Sequence, residues 1–569
     1  MINLIRNTYK ILNTKQKLRL IFVGFSTILT GLLEMISIAL FIPLIGLVID
    51  ENYLDKFTNL KNFLSEISDK TQIEKFYVLI ILLVFIFIIK NIIILLLNYY
   101  SSKSAYLTRT EIGNKIMNNY LNANYEYFFK KKSSILFYLL TEEIARFGHM
   151  LLSLIRLFTN ILITFFIFIF IFYNYPNQLM LLTATTFIGG GIYYIFTKNF
   201  VEAFGRVRVI KESNYLKNLR ETLDFLKEIK IYFKENFFSS IYNHNNEIIN
   251  RYGYVWSFFQ TLPKIWFELV AVCSLFLILS FNYGQALDKN EIIVSLSVII
   301  YAIARVLPSV NIIISSLQNL KFSEYGFNQI KNLISFEEKE EKIEKINLNS
   351  SNFNNLKIKD LTFSYEEKNE IIKNLNFSVK KGEIIGIIGE SGSGKTTLIN
   401  IVTGLLKIKS GSYLFNDNEI KNIRNEKENL FGYIPQKISL LDETIKHNIA
   451  LETKNIDQKK LNKCIEKTGL TKFVNNLKLK ENTIVGEKGS SLSGGQAQRI
   501  AIARALYHEP EIIILDEATN SLDAELEQNI LSMLKKLQKT LIIISHHQSI
   551  LKLCDRIYKL ENKSLQITK

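Results

Sequence analysis

Two rhythms divide this chain. Up to about residue 335, apolar side chains come in long unbroken runs; after about residue 355 they come in short runs separated by glycine-bearing turns. The long runs fall near 20–49, 77–100, 150–173, 178–197, 257–283 and 291–318. A helix needs about 20 apolar residues to cross a bilayer, so six membrane spans are predicted. Basic residues orient them: Arg6, Lys10, Lys15, Lys17 and Arg19 place the N-terminus in the cytoplasm. The segment after the first run, with Asp50, Glu51, Asp55, Glu66, Asp69 and Glu74, reads as an outer loop. Stretches 101–149 and 198–256 are basic and helix-periodic and are expected to project into the cytoplasm, with Lys130–Lys132 as one cluster. In the outer loop Phe57, Leu60, Phe63, Leu64 and Ile67 recur at helical spacing. They predict a helix that either lies on the outer leaflet or packs on its own spans.

The second rhythm is that of a soluble α/β domain. A membrane domain over 1–334, a connector over 335–354 containing the charged "SFEEKEEKIEKINLNSSN", and an α/β domain over 355–569 are expected. A length of 569 residues already requires more than one domain. The net charge of +16 would suit nucleic acid, but beside such apolar runs basic residues orient spans and hold anionic lipid headgroups. No nucleic-acid partner is expected. Cys273, Cys464 and Cys554 are too scattered to imply a metal site or a disulfide framework. The first run is too long for a signal-peptide core and lacks a small-residue cleavage site, so it reads as a retained span.

The α/β half carries chemistry. "GESGSGKTT", comprising Gly389, Glu390, Ser391, Gly392, Ser393, Gly394, Lys395, Thr396 and Thr397, follows the apolar "EIIGIIG" and precedes the helical "LINIVTGLL". That strand–loop–helix frame is what a phosphate-binding P-loop needs. Its glycines let backbone N–H groups close on phosphate oxygens at a helix N-terminus. Lys395 is placed to reach the β- and γ-phosphates, and the Thr396 hydroxyl to ligate Mg²⁺. "IIILDE", Ile512 to Glu517, reads as a buried strand ending in two carboxylates. Asp516 is suited to hold the hydration shell of Mg²⁺, and Glu517 to act as general base on the attacking water.

Between these motifs stands "LSGGQ", Leu492 to Gln496. With its neighbours it resembles the signature of ATP-binding cassette (ABC) proteins, and the resemblance covers the whole soluble half. By that resemblance Tyr365 in "LTFSY" stacks on adenine, and Gln436 in "YIPQ" senses Mg²⁺. Asp523 in "NSLD" follows the second acid, His546 in "IIISHH" contacts the γ-phosphate, and Glu487 meets the cytoplasmic loops. His547 and Ala497 depart from the family's frequent residues at positions without chemistry. The family sandwiches ATP between the P-loop of one subunit and the signature of another; here Ser493, Gly494, Gly495 and Gln496 open a helix that would supply donors. With one P-loop and one signature per chain, a homodimer is implied, hydrolysing ATP with Mg²⁺ at both sites.

Six spans followed by one cassette resemble an exporter-type half-transporter of a bacterial cytoplasmic membrane. "GLLEMISIALFIPLIGLVID", the long outer loop and "IARVLPSVN" resemble, more narrowly, the bacterial flippase for oligosaccharides on an undecaprenyl pyrophosphate carrier. Exporters of drugs, peptides or lipid A are the alternatives within transport, although no peptidase-like segment precedes the first run. An ATP-gated regulatory protein competes from another class; a complete Glu517–His546 pair argues against it. A soluble cassette of DNA repair or translation is excluded by the spans.

Ionisable residues inside spans usually face pathways. Lys90 interrupts "VFIFIIKNIIILLL" at 84–97, Arg305 reaches a similar depth in the sixth span, Lys264 lies nearer the cytoplasm, and Glu34 sits mid-span in the first. They are expected either to line a basic cavity for an anionic lipid headgroup, Arg305 with bidentate geometry, or to join helices through Glu34. Lys264, and more so Arg156, could instead snorkel to the inner interface.

Overall fold

A computed structural model describes residues 2–49, 53–130, 133–174, 176–283, 289–335, 353–365, 370–408, 410–420, 422–425, 429–518, 532–533, 535–536, 538–545 and 551–569. The expected connector lies outside the described residues over 336–352, as do Lys131 and Lys132 of the basic cluster. The chain divides into two compact units, Met1–Ala123 with Lys131–Glu340, and Asn124–Lys130 with Glu341–Lys569.

The first unit is helical. Its elements are α1 (Ile2–Ile11), α2 (Thr14–Ile49), a 3₁₀ turn (Tyr53–Lys56), α3 (Thr58–Thr71) and α4 (Lys75–Asn122). The chain then passes through α5 (Tyr125–Lys130), which belongs to the second unit. It continues as α6 (Ser133–Tyr138), a π-turn (Leu139–Glu143), α7 (Ile144–Asn174), α8 (Pro176–Asp224), α9 (Leu226–Ile231), α10 (Glu235–Tyr283) and α11 (Lys289–Ser335).

Among the described residues, 6 helical segments are long and apolar enough to cross a membrane. They outrun the apolar runs that announced them. The 48 residues of α4 extend for about 70 Å, against a hydrocarbon core of about 30 Å. Hydropathy marks where side chains turn polar, whereas the backbone ladder continues through Asn122. Ile38 of α2, Ile167 and Ile171 of α7, and Ala302 and Val306 of α11 form a shared apolar contact. In α3, Leu64 packs with Val78 and Leu79 of α4, flanked by Leu60 and Ile67. Phe63 stays exposed. Most of this helix's apolar face is thus used against its own spans.

A charged knot closes around the π-turn. Glu143 and Arg208 are only 1% and 3% exposed and pair at 2.8 Å. Arg146 reaches Glu212 at 2.8 Å, and the Tyr138 hydroxyl lies within 2.6 Å of Glu143 and 2.8 Å of Glu212. The Arg208 guanidinium also covers the Phe322 ring at 4.5 Å. Gly326 of α11 leaves room for this knot, because a Cβ there would overlap the Glu143 carboxylate and displace it.

The second unit has a four-stranded antiparallel sheet, order β2-β1-β4-β5, and a six-stranded sheet, order β10-β9-β3-β8-β7-β6. The strands are β1 (Asn355–Phe363), β2 (Ile372–Lys380), β3 (Ile384–Ile388), β4 (Ser410–Phe415), β5 (Asn418–Glu419), β6 (Phe431–Ile434), β7 (Ile512–Asp516), β8 (Thr540–Ile544), β9 (Arg556–Glu561) and β10 (Ser564–Ile567). Strands β9, β3, β8, β7 and β6 run parallel. The helices are α12 (Lys395–Val402), α13 (Ile445–Ala450), α14 (Gln458–Lys467), α15 (Thr471–Asn475) and α16 (Gly494–Tyr507).

The unbroken apolar strands are explained by burial on both faces. Ile385, Ile387, Ile512, Ile514, Ile542 and Ile544 face one core with Leu398, Ile399, Ile401 and Val402 of α12. Their neighbours Ile384, Ile513, Leu515, Leu541 and Ile543 face another with Ile500, Ile502 and Ala503 of α16. The P-loop helix and the signature helix therefore pack on opposite faces of one sheet. Arg556 joins the two sheets, making a paired contact to Glu383 and donating to the Ser378 carbonyl at 3.0 Å.

Candidate active site

The loop after β3 lies at the C-terminal edge of a parallel sheet, where such sheets bind ligands. Gly392 and Gly394 hold left-handed backbone, with φ of 82° and 106°, and a Cβ on Gly389 would stand 2.6 Å from the Leu560 carbonyl oxygen. Larger residues would open the loop. Lys395 is buried and donates to the carbonyls of Gly389 and Glu390 at 2.7 and 3.0 Å. Its amine is thereby folded over the loop it serves. Thr396 is exposed, whereas Thr397 is buried within 3.3 Å of the Tyr365 hydroxyl.

The carboxylates arrive from β7, two strands away in the same sheet. Asp516 is buried and accepts from the Tyr433 hydroxyl at 2.8 Å. Burial raises its carboxyl above the usual range and Glu517 adds to this, while Tyr433 and Lys395 oppose it. Burial and the bond to Asp516 push the Tyr433 phenol up as well. Glu517 leaves the strand in left-handed backbone, φ 48°, and its N–H donates to the Ile544 carbonyl at 3.1 Å. Its carboxylate accepts from the Gln436 amide at 2.6 Å and lies 4.0 Å from the Lys395 amine. The fold thus brings Lys395, Gln436, Asp516 and Glu517 together.

The signature forms a capping box. The Ser493 hydroxyl accepts from the Gln496 N–H at 3.3 Å, and the Gln496 side chain accepts from the Ser493 N–H at 3.0 Å. Accepting rather than donating leaves the Ser493 proton free for a phosphate. Gly494 is exposed, with open space where a Cβ would stand, and Gly495 is half-buried. Glu487 is exposed in a short 3₁₀ turn. Asp523 and His546 lie outside the described residues.

Sequence reasoning missed three neighbours. Tyr433 becomes visible only once β6 is registered against β7. Buried Gln498 donates to the carbonyl of Ala518, directly after Glu517. Arg504 donates to the carbonyls of Asn448 and Ser439 at 2.7 and 3.1 Å, tying α16 to the segment after Gln436. Among the described residues no group of three or more His, Cys, Asp or Glu could hold a metal alone. The oxygen donors of Thr396, Gln436 and Asp516 do fit a hard Mg²⁺ ion brought with a phosphate ligand.

In the first unit Lys90 is 1% exposed and pairs with buried Glu34 at 3.2 Å, its amine 4.0 Å from the centre of the Phe87 ring. Arg305 lies 3.9 Å from the same carboxylate, with its side chain 35% exposed. Its Nε donates to the Tyr301 hydroxyl at 3.4 Å. Lys264 is exposed.

The family profile of the ABC transporter transmembrane region matches residues 20–307, half of the chain. The chain belongs to the ABC transporter family. The family's "ABC transporter" profile matches residues 372–520 as well. This ABC transporter is 38% identical over 212 residues to an ATP-dependent lipid A-core flippase of Idiomarina loihiensis, a match covering 36% of each chain. It is 36% identical to the same-named protein of Pasteurella multocida, over 37% of each. It is also 36% identical to mouse ATP-binding cassette sub-family B member 5, over 37% of this chain and 17% of that one. The matches to the two flippases therefore span little more than a third of their length. A bacterial Atm1-family ABC exporter, solved with ATP bound, shares the fold with a TM-score of 0.79 at 18% identity, over 97% of this chain and 95% of that one.

Proposed function

We propose that this ABC transporter is an ATP-driven exporter or flippase of a bacterial cytoplasmic membrane. It works as a homodimer, with both termini and the cassettes in the cytoplasm. The substrate is an amphipathic, anionic lipid, an oligosaccharide on a polyprenyl pyrophosphate carrier. The observation that carries the reading is the meeting of Lys395, Gln436, Asp516 and Glu517 at one sheet edge, in a chain with six apolar spans.

Each side chain then has a task. The loop Gly389–Thr397 grips the phosphates of ATP, Lys395 exchanges its loop carbonyls for phosphate oxygens, and Tyr365 stacks on adenine. Thr396, Gln436 and Asp516 hold Mg²⁺ directly or through water, which when bound neutralises phosphate charge. Glu517 takes the proton of the attacking water, held in place by Gln436. By the family resemblance His546 contacts the γ-phosphate, and Asp523, in the loop after the second acid, belongs to the ATP-binding set. Because α12 and α16 occupy opposite sheet faces, Ser493, Gly494, Gly495 and Gln496 serve the P-loop of a second copy. Two such sites close the dimer and drive alternating access. In the membrane, Arg305 and the exposed Lys264 handle the anionic headgroup, while the buried Lys90–Glu34 pair holds Arg305 in place.

The relatives named lipid A-core flippases favour a second substrate, a lipid A-like glycolipid, which likewise unites phosphate groups with long hydrocarbon chains. Proteoliposomes loaded with a fluorescent polyprenyl-pyrophosphate oligosaccharide, and separately with a fluorescent lipid A–core, test both. Wild type is expected to flip the first with ATP, and Glu517→Gln is expected to flip neither. Movement of lipid A–core alone would replace the glycolipid reading, and ATP hydrolysis without movement of either would overturn both.

A further inference from the structure

The short helix α5 (Tyr125–Lys130) folds with the second unit, although it lies in sequence between two long helices of the first. Tyr125 packs against the core that holds α12. It shares a cleft of about 490 Å³ with Thr396, Asn400 and Tyr433. Tyr433 pairs with Ile514 across the parallel β6–β7 ladder. Side chains two residues apart on a strand share a face, so Tyr433, Ile514 and Asp516 point the same way. The Tyr433 ring borders the cleft, and its hydroxyl reaches the Asp516 carboxylate at 2.8 Å. Tyr125 therefore lines the same cleft as Thr396 and as Tyr433, whose hydroxyl reaches Asp516.

We propose that Tyr433 is a positioning residue that aims Asp516 at the metal, and that Tyr125 of α5, lining the same cleft, sets the seat of Tyr433 and thereby tunes metal affinity at the nucleotide site. The inference rests on the ATPase reading above. A single donated hydrogen bond fixes one carboxylate oxygen and leaves the other free for the metal's hydration shell. Withdrawal of Tyr125 opens the cleft beside the ring, and the phenol loses the wall that keeps it against Asp516. The signal needs no movement of the P-loop. It passes through one shared cleft and one hydrogen bond.

The test uses the full-length chain in lipid nanodiscs, with Mn²⁺ in place of Mg²⁺ and a non-hydrolysable ATP analogue. Bound Mn²⁺ is read by electron paramagnetic resonance, independently of turnover. Tyr433→Phe keeps the ring and removes the bond, and it is expected to weaken Mn²⁺ binding by about fivefold, the worth of one hydrogen bond of about 1 kcal/mol. Binding of the analogue without metal is expected to stay within twofold of wild type (roughly experimental error). Tyr125→Ala is expected to weaken Mn²⁺ binding similarly, and to add nothing when combined with Tyr433→Phe. Unchanged Mn²⁺ affinity in Tyr433→Phe, or fully additive losses in the double variant, would overturn the proposal. If wild type binds neither analogue nor Mn²⁺, the ATPase reading fails and this one falls with it.

Discussion

Glu143 shows how much one side chain can hold. Its carboxylate meets Arg208 and Tyr138 with almost no water, and Gly326 leaves it room. Removing one partner of a buried ion pair strands the other charge, at a cost of about 3–5 kcal/mol. Glu143→Ala should accordingly lower the melting temperature of the purified full-length chain. Adding Arg208→Ala should restore part of that loss, because both charges are then gone. Neither residue stands out in the sequence. "LLTEEIARF" reads as uninterrupted helix, and the π-turn over Leu139–Glu143 that carries Glu143 has no local signature. Lys90 is a different case. Its cost was legible and Glu34 was already among the expected partners, but which cation Glu34 holds is decided by helix packing across 56 residues.

At the scale of elements, the cassette was the more readable half because its motifs are contiguous. The P-loop, the β7 acids and the signature each fit within ten residues, so backbone geometry follows from local sequence. Contacts that need strand register, such as Tyr433 to Asp516, or that bring distant segments of the chain together, such as Arg556 to Glu383, were not legible. The latter pair yields a pH dependence. Burial acts to raise the Glu383 carboxyl, but the Arg556 hydrogen bonds outweigh it, and the net position is below the usual range. A lowered folded value contributes stability above the unfolded value of about 4.3, and that stability is lost as pH falls through the folded one. Calorimetry of the full-length chain should show the cassette transition falling steeply below about pH 4.3. Glu383→Gln should weaken the cassette at neutral pH by about 1.5–3 kcal/mol and flatten that acid slope.

For the whole molecule, the membrane unit sorts its charges by exposure. Lys90 and Glu34 are enclosed, whereas Arg305 leans on the same carboxylate with a third of its side chain accessible. Lys90→Ala should therefore act first on stability, by leaving Glu34 buried opposite a more distant cation. Arg305→Ala should leave the melting temperature nearly unchanged while reducing flipping of an anionic lipid and sparing basal ATP hydrolysis. Equal loss of stability in both variants would make the three residues a structural brace. The spans themselves were announced by hydropathy; their ends were not, since α4, α8 and α10 continue far beyond their apolar portions. The left-handed backbone at Glu517 reaches furthest. A side chain held there works against its own chain by roughly 1–2 kcal/mol. Glu517→Gly should raise the melting temperature while abolishing ATP turnover. Inactivation at this position is thus downhill for folding, and on the proposed function it is the demand for ATP turnover that keeps the glutamate in place. In a lineage released from that demand, position 517 would be among the first to drift.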